Sequence, residues 1–421
     1  MERLMSLIGL AALVGIAFAF SKDRKRINWR TVAVGLGLQI VLGFFLLRFE
    51  VTAKAFEALT FKVRDFLELA EKGGGFVFND PKLSSIFAVK VSATIIFFSA
   101  FISVMYYLGV VQRIIGGIAK VMRITMGTSG AETLSCSANI FVGQTEAPFL
   151  IKPFIEKMTL SELHAVMVGG FATIAGGVLA AYIGMGVPPN HLIVASVMSA
   201  PAALVIAKLL VPETEHSVTA GDVKMPEIKV GDNLVDAAAR GTTDGLHLAL
   251  NVMAMLIAFI ALIAVVDWVL GGLDFFIDGR LLQGAAFEVA EKTEYKGIFP
   301  GSLRTFFGAF LGPLAFIMGV PWADSAAVGN LLGVKVCANE FVAYGELSQL
   351  IQSGAVSQRS IVIATYALCG FANFSSIGIQ IGGISALVPD RRSDLAKLGF
   401  RAMCGGALAS WTTATVAGIL L

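Results

Sequence analysis

Apolar residues dominate eight stretches of the chain, at about 3–20, 31–47, 87–110, 160–184, 191–211, 246–270, 360–388 and 398–421. A helix rises about 1.5 Å per residue, so about 20 apolar residues cross the ~30 Å hydrocarbon core of a bilayer. The pattern predicts an all-α polytopic membrane protein with eight transmembrane helices. Two further apolar runs, Ile114 to Met126 and Leu303 to Val320, carry Arg113, Lys120, Arg123 and Arg304 together with Gly116-Gly117 and Pro313, and read as tilted or interfacial helices. Between the second and third spans, Phe56, Leu59, Val63, Phe66 and Ala70 recur at helical spacing opposite Lys54, Glu57, Asp65 and Glu68. That pattern predicts an amphipathic interfacial helix stopped by Gly73-Gly74-Gly75. The long polar stretch from Pro212 to Arg240 lacks periodicity and reads as a cytoplasmic linker.

A repeat organises these elements. Ala138-Asn139-Ile140-Phe141-Val142-Gly143 matches Ala338-Asn339-Glu340-Phe341-Val342-Ala343, and Gly170-Phe171-Ala172-Thr173 matches Gly370-Phe371-Ala372-Asn373, both at an offset of 200 residues. Paired interruptions of hydrophobicity in corresponding places are the mark of an internal repeat whose broken helices build one site near the bilayer midplane. The expected units are N-terminal spans with an interfacial helix at 1–110, a first repeat at 111–211, a linker at 212–245 and a second repeat at 246–421.

Composition agrees with this class and removes others. The 421 residues are 56% hydrophobic and 15% charged, well below the roughly 25% charged of soluble domains. Net charge is only +2, which gives no reason to expect nucleic acid as a partner. The basic residues report orientation instead: Lys22, Arg24, Lys25, Arg26 and Arg30 follow the first span, while Arg391, Arg392, Lys397 and Arg401 precede the last. Six spans separate these clusters, so both fall on one face, taken as cytoplasmic, with both termini outside. The first run reads as a retained span rather than a cleaved signal, because a basic cluster follows it directly despite the Ala17-Phe18-Ala19 cleavage-like site.

Enzyme signatures do not occur. The chain contains no His-Glu-x-x-His, Gly-x-Ser-x-Gly or Walker A pattern, and His164, His191, His216 and His247 are scattered and read as loop or helix-surface residues. Cys136, Cys337, Cys369 and Cys404 show neither disulfide nor zinc spacing and read as small packing residues.

Chemistry concentrates in the repeated segments. Residues 131–158 are too polar for a lipid-facing span but have apolar arms, which predicts a re-entrant hairpin with its tip near Gly143 and Pro148. Residues 321–350 repeat the design around Lys335, Asn339, Glu340 and Tyr344. A carboxylate at membrane depth costs about 3 kcal/mol or more, so Glu146 and Glu340 require a purpose or partners such as Lys152 and Lys335. Asp324, Glu132, Glu156, Glu162 and Glu346 lie towards the hairpin ends, where solvation is expected. Downstream of each hairpin a span is interrupted by Thr173, Gly176 and Gly177, or by Asn373, Ser375, Ser376 and Gly378, which suits unwound backbone facing a cavity.

Gly143-Gln144-Thr145-Glu146-Ala147-Pro148, Ala338-Asn339-Glu340-Phe341-Val342-Ala343-Tyr344 and Cys369-Gly370-Phe371-Ala372-Asn373-Phe374-Ser375-Ser376-Ile377 resemble the signatures of the concentrative nucleoside transporters, in particular their bacterial eight-span members. The similarity runs over nearly the whole chain, including Leu248-Ala249-Leu250-Asn251. It implies eight spans with two opposed re-entrant hairpins in an inverted repeat, assembled as a homotrimer in the inner membrane. It further implies that Gln144, Thr145, Glu146 and Val178 hold the nucleobase, while Glu340, Asn373 and Ser376, with Phe371 nearby, hold the ribose of a nucleoside such as uridine. The implied sodium site comprises Asn139, the Val142 carbonyl, Thr173 and the Ile174 carbonyl; other members commonly carry Ser at the position of Thr173.

Residue chemistry is compatible with these roles. A carboxylate and an amide accept from ribose hydroxyls, amide and hydroxyl groups suit a base edge, and neutral oxygens suit an alkali cation. The expected activity is sodium-coupled nucleoside import by alternating access, with the hairpins moving against a scaffold that includes spans three and six. A proton-coupled nucleoside or nucleobase symporter, with Glu146 or Glu340 titrating, is the alternative.

Overall fold

Each apolar run becomes a helix because, in lipid, a helix satisfies its backbone polar groups internally. The computed structural model describes residues 2–49, 62, 65–67, 69–77, 86–221, 231–281 and 299–421, and among these the regular structure is entirely helical. The elements are α1 (Glu2–Ala19), α2 (Trp29–Leu47), α3 (Phe87–Tyr107), α4 (Val110–Met126), α5 (Gly130–Ala138), α6 (Lys152–Ile155), α7 (Leu160–Ala172), α8 (Gly176–Gly184), α9 (Pro189–Leu210) and α10 (Leu234–Asp274). They continue with α11 (Leu303–Ile317), α12 (Trp322–Cys337), α13 (Glu340–Ser353), α14 (Gln358–Leu368), α15 (Phe374–Leu387) and α16 (Arg392–Leu420).

Among the described residues, seven helical segments are long and apolar enough to cross a membrane, the pair α7–α8 counting as one of them. The pair α11–α12, bent by 116°, would make an eighth. The run at 360–388, expected as one span, is two helices, α14 and α15. Gly370 at φ +120° and the Asn373 side chain, which accepts from Ser376 N at 2.9 Å and starts α15, impose the break. The run at 160–184 breaks likewise after Ala172, where Thr173 is extended. The repeat is visible in the element order: α7, α8 and α9 recur as α14, α15 and α16 near the 200-residue offset.

Amphipathic α4 buries Val111, Ile115, Ala119, Met122 and Met126 on one stripe and exposes Ile114, Val121 and Ile124, as an interfacial or tilted helix should. Of the interfacial helix expected before α3, Lys54, Phe56, Glu57, Leu59, Val63 and Glu68 lie outside the described residues. Its described part does not stop at the glycine triplet but remains helical to residue 77. Leu67 and Ala70 are buried, and Gly74 faces α3, where a Cβ would stand 3.4 Å from Ala93 Cβ.

Helix α10 also begins earlier than the polarity of its first turns suggests. Asn233 caps it by accepting from Asp236 N at 2.9 Å, so residues 234–245, assigned to the linker, are helical. Small residues explain the extension: Ser103 Oγ of α3 donates to Ala237 O at 2.7 Å, and Gly241 and Gly245 let the α3 backbone approach closely. The beginning of the linker folds onto the first repeat. Lys208 on α9 pairs with Glu132 at 2.7 Å and reaches Glu213 at 3.5 Å, while Glu162 accepts from Ser217 and Thr219. Glu132 and Glu162, expected to be solvated, are buried because each has fixed partners: Glu132 accepts from Ser129 N at 2.8 Å and pairs with Lys208, and Glu162 accepts from Thr159 N at 2.9 Å and from the two linker hydroxyls.

His164 is likewise buried within α7 rather than on a helix surface, because α7 packs against both α9 and α16. Cys337 is exposed at the end of α12, whereas Cys136 and Cys369 are packed in the interior. The basic loops meet at one end, where Arg401 donates to Phe20 O at 2.7 Å and Lys22 N to Leu210 O at 2.9 Å. The two chain ends meet as well, with Arg3 donating to Leu421 O at 2.6 Å.

Candidate functional site

The two helix breaks cross at the centre of the fold. A Cβ at Gly370 would stand 2.6 Å from Phe171 O, a contact that only glycine permits, and its positive φ reinforces that requirement. At the end of α14, the carbonyls of Ala367 and Cys369 accept from the Lys335 ammonium at 2.9 and 3.4 Å. A buried cation is thereby set against the negative end of a helix. Among the described residues no ion pair within 4.0 Å joins Lys335 to Glu340 or Lys152 to Glu146, so the salt-bridge explanation for these glutamates does not hold.

Glu340 instead accepts from two neutral donors at the first turn of α13. Tyr182 Oη, on α8, donates to Oε1 at 3.0 Å, and Asn373 Nδ2 donates to Oε2 at 3.0 Å. Asn373 thus works at both ends, because its Oδ1 caps α15 while its amide holds the carboxylate. From α15 the chain of contacts continues into the first hairpin: Gln144 Nε2 donates to Ser376 Oγ at 3.3 Å, and Gln380 Nε2 donates to Gln144 Oε1 at 3.0 Å. One polar network therefore joins Glu340, Asn373, Ser376 and Gln144, from both repeats.

The remaining expected residues surround this network. Thr145 packs over Gly383 of α15, where a Cβ would meet its methyl at 2.8 Å. Val178 is buried on α8 one turn before Tyr182, and Phe371 is half-buried in the second break. Glu146 differs from Glu340 in being exposed; its carboxylate folds back over Gly143, where any side chain would collide with it.

The other polar centre lies at the base of the first hairpin tip. Asn139 Nδ2 donates to Ser135 O at 3.1 Å, which leaves its buried Oδ1 without a donor. Thr173 Oγ1 spends its proton on Gly169 O at 2.8 Å and so presents only lone pairs elsewhere. Gly176 N donates to Phe141 O at 3.1 Å, tying the first helix break to the tip that carries Val142. Neutral oxygens with an orphaned buried acceptor among them fit an alkali cation. Among the described residues, no group of three or more His, Cys, Asp or Glu side chains could hold a metal ion.

Tyr182 and Gln380 were not singled out from the sequence. Each follows an expected residue by four positions, Val178 and Ser376 respectively, and so shares its helix face. Among the described residues, a hollow of about 520 Å³ is lined by Ala239, Arg240, Thr243 and Asp244 of α10, away from this network.

Three family descriptions match consecutive stretches of the chain: "Na+ dependent nucleoside transporter N-terminus" over residues 8–81, "Nucleoside recognition" over 88–189 and "Na+ dependent nucleoside transporter C-terminus" over 191–418. Sodium/nucleoside cotransporter 1 of Mus musculus is 44% identical over 434 residues, covering 100% of this chain and 64% of its own length. The Homo sapiens protein of the same name is 43% identical with the same coverage, so the chain spans about 64% of these relatives. A solved structure of CNTnw in an inward-facing substrate-bound state is similar at TM-score 0.90 and 39% identity, covering 100% of this chain and 98% of that one. Another, of a CNTnw variant in an outward-facing state, is similar at TM-score 0.89 and 38% identity, again covering 100% and 98%.

Proposed function

The chain belongs to the Na+-dependent nucleoside transporter family, and on that premise we propose that it is a sodium-coupled symporter that imports nucleosides by alternating access. The observation that carries the reading is the network from Tyr182 through Glu340, Asn373, Ser376 and Gln144 to Gln380, in which hydroxyl-accepting and base-reading groups meet between two hairpins.

Glu340 and Asn373 accept from and donate to the ribose hydroxyls, with Ser376 and Phe371 beside them. Gln144, Thr145, Glu146 and Val178 face the base. A nucleoside entering this network exchanges one set of hydrogen bonds for another, so an analogue lacking a ribose hydroxyl leaves a buried acceptor unpaired and is strongly disfavoured.

Sodium, as the co-transported ion, takes the Asn139 side chain, the carbonyls of Val142 and Ile174 and the Thr173 hydroxyl. Asn139 and Gln144 belong to one hairpin tip, so an ion that orders the tip also orders a base-binding residue. Binding linkage is reciprocal, so a bound nucleoside raises sodium affinity by the same factor. A tenfold sodium gradient supplies about 1.4 kcal/mol, and a 100 mV potential about 2.3 kcal/mol. Together these support accumulation of a neutral nucleoside by a few hundredfold.

The protein works as a homotrimer in the bacterial inner membrane, with the two hairpins re-entrant and moving against a scaffold that includes α3 and α10. The units are 1–110, 111–211, the linker within 212–245 and 246–421. The end bearing Lys22 and Arg401 faces the cytoplasm and the chain ends face outward, in keeping with the retention of basic loops inside.

The test is uptake of radiolabelled uridine into proteoliposomes under an inward sodium gradient, compared with potassium under a proton gradient. Accumulation with sodium alone is expected. Accumulation driven only by protons would transfer coupling to Glu146 or Glu340, and equilibration without accumulation would indicate a facilitator or channel.

A further inference from the structure

Gln380 holds a position that neither the motif pattern nor the family resemblance assigns. It lies on α15, 1% exposed, and its amide nitrogen donates to two acceptors: Met167 O of α7 at 3.1 Å and Gln144 Oε1 at 3.0 Å. Gly170 leaves the room for this, since a Cβ there would stand 2.7 Å from Gln380 Nε2 and 3.0 Å from Gln144 Cβ.

An amide's orientation follows from the fixed groups around it. Met167 O is a backbone carbonyl and can only accept, so it fixes the NH₂ of Gln380 on its own side. Turning Gln380 over would set its carbonyl oxygen against Met167 O. With the NH₂ so placed, the atom of Gln144 facing Gln380 must be its oxygen, and the Gln144 NH₂ points the other way, towards Ser376 at 3.3 Å. That last contact is long, hence weak and readily exchanged.

We infer that Gln380 is a specificity-determining positioning residue: it locks Gln144 so that its amide N–H, never its carbonyl, faces the bound base. The inference rests on the nucleoside reading of the site. When ribose engages Ser376, the Gln144 NH₂ is released from that hydroxyl while its oxygen stays held by Gln380. The site then offers a donor and selects bases with a ring carbonyl over those with an amino group in the same place. Uridine is favoured over cytidine, and inosine over adenosine. Gln380 itself does not touch the solute.

The experiment is competition against labelled uridine uptake in proteoliposomes, using unlabelled uridine, cytidine, inosine and adenosine on the wild type, Gln380→Leu and Gln380→Asn. Leucine removes the donor, whereas asparagine keeps polarity but is too short to bridge Met167 O and Gln144, so it reports even where the leucine variant fails to fold. The wild type is expected to prefer the carbonyl member of each pair by about fivefold to tenfold, the worth of one hydrogen bond. Both ratios should fall towards one in the variants as Gln144 turns freely, with the maximal rate changed much less. In a Gln144→Ala background, Gln380→Leu should alter neither ratio. Equal wild-type affinities within both pairs, or ratios unchanged in folded Gln380 variants, would overturn the inference while leaving nucleoside transport intact. Absence of uptake of every nucleoside by the wild type would overturn the transport reading beneath it.

Discussion

Asn139 and Asn339 occupy the same place in the two repeats, yet their side chains do opposite work. Asn339 is extended, at φ −167° and ψ 171°, and its Oδ1 is consumed by Val342 N at 2.9 Å as the cap of α13. Asn139 is helical, at φ −60° and ψ −13°, at the end of α5; its amide donates backwards to Ser135 O, and its Oδ1 is buried without a partner. The same residue type is a structural cap in one half and a buried, unpaired acceptor in the other. The helix breaks divide similarly. Thr173 bonds locally to Gly169 O, whereas Asn373 reaches across to Glu340. The repeated segments thus differ in local backbone as well as in partners, and on the proposed reading the first half serves the cation and the second the ribose.

The largest effect should come from breaking the ribose side. Glu340→Gln removes a charged acceptor bonded by Tyr182 and Asn373; the half-saturating uridine concentration should rise about tenfold to a hundredfold, while membrane insertion measured by gel filtration stays normal. Uptake equal to wild type would remove Glu340 from the site. On the cation side, Asn139→Ala should raise the half-saturating sodium concentration by roughly tenfold for one lost ligand, read from sodium titrations of uptake. The matched substitution Asn339→Ala should instead cost about 1 kcal/mol of stability through the lost cap, visible as a lower Tm, with sodium dependence retained. Smallest is Thr173→Ser, which keeps the hydroxyl and removes only a methyl group; the sodium midpoint should move by less than about threefold.

Much of the architecture is legible along the chain. The spans followed from uninterrupted apolar runs, and the centre from paired polar breaks at one offset. The departures have physical causes. The run at 360–388 broke because Gly370 and Asn373 together end one helix and start another, which average hydropathy does not register. The start of α10 was hidden because its first turns are polar, although Gly241 and Gly245 allow close contact with α3. Glu132 and Glu162 each close a local capping box with Ser129 and Thr159, but their burial depends on tertiary partners, Lys208 for Glu132 and the linker hydroxyls of Ser217 and Thr219 for Glu162, which spacing alone does not show. Within the site, Glu340, Asn373, Ser376 and Gln144 converge in one network, while Tyr182 and Gln380 join it through tertiary contacts and stand in no motif. The difference between Asn139 and Asn339 was equally invisible, because it lies in backbone conformation and not in residue type.

The division of labour is tested most directly by titrating sodium against uridine uptake for the wild type, Asn139→Ala and Asn339→Ala in parallel. A raised sodium midpoint in Asn139→Ala alone, with Asn339→Ala unchanged in midpoint but less stable, is the predicted result. Equal midpoints in all three proteins, or a shift confined to Asn339→Ala, would contradict the assignment of the cation to the first repeat.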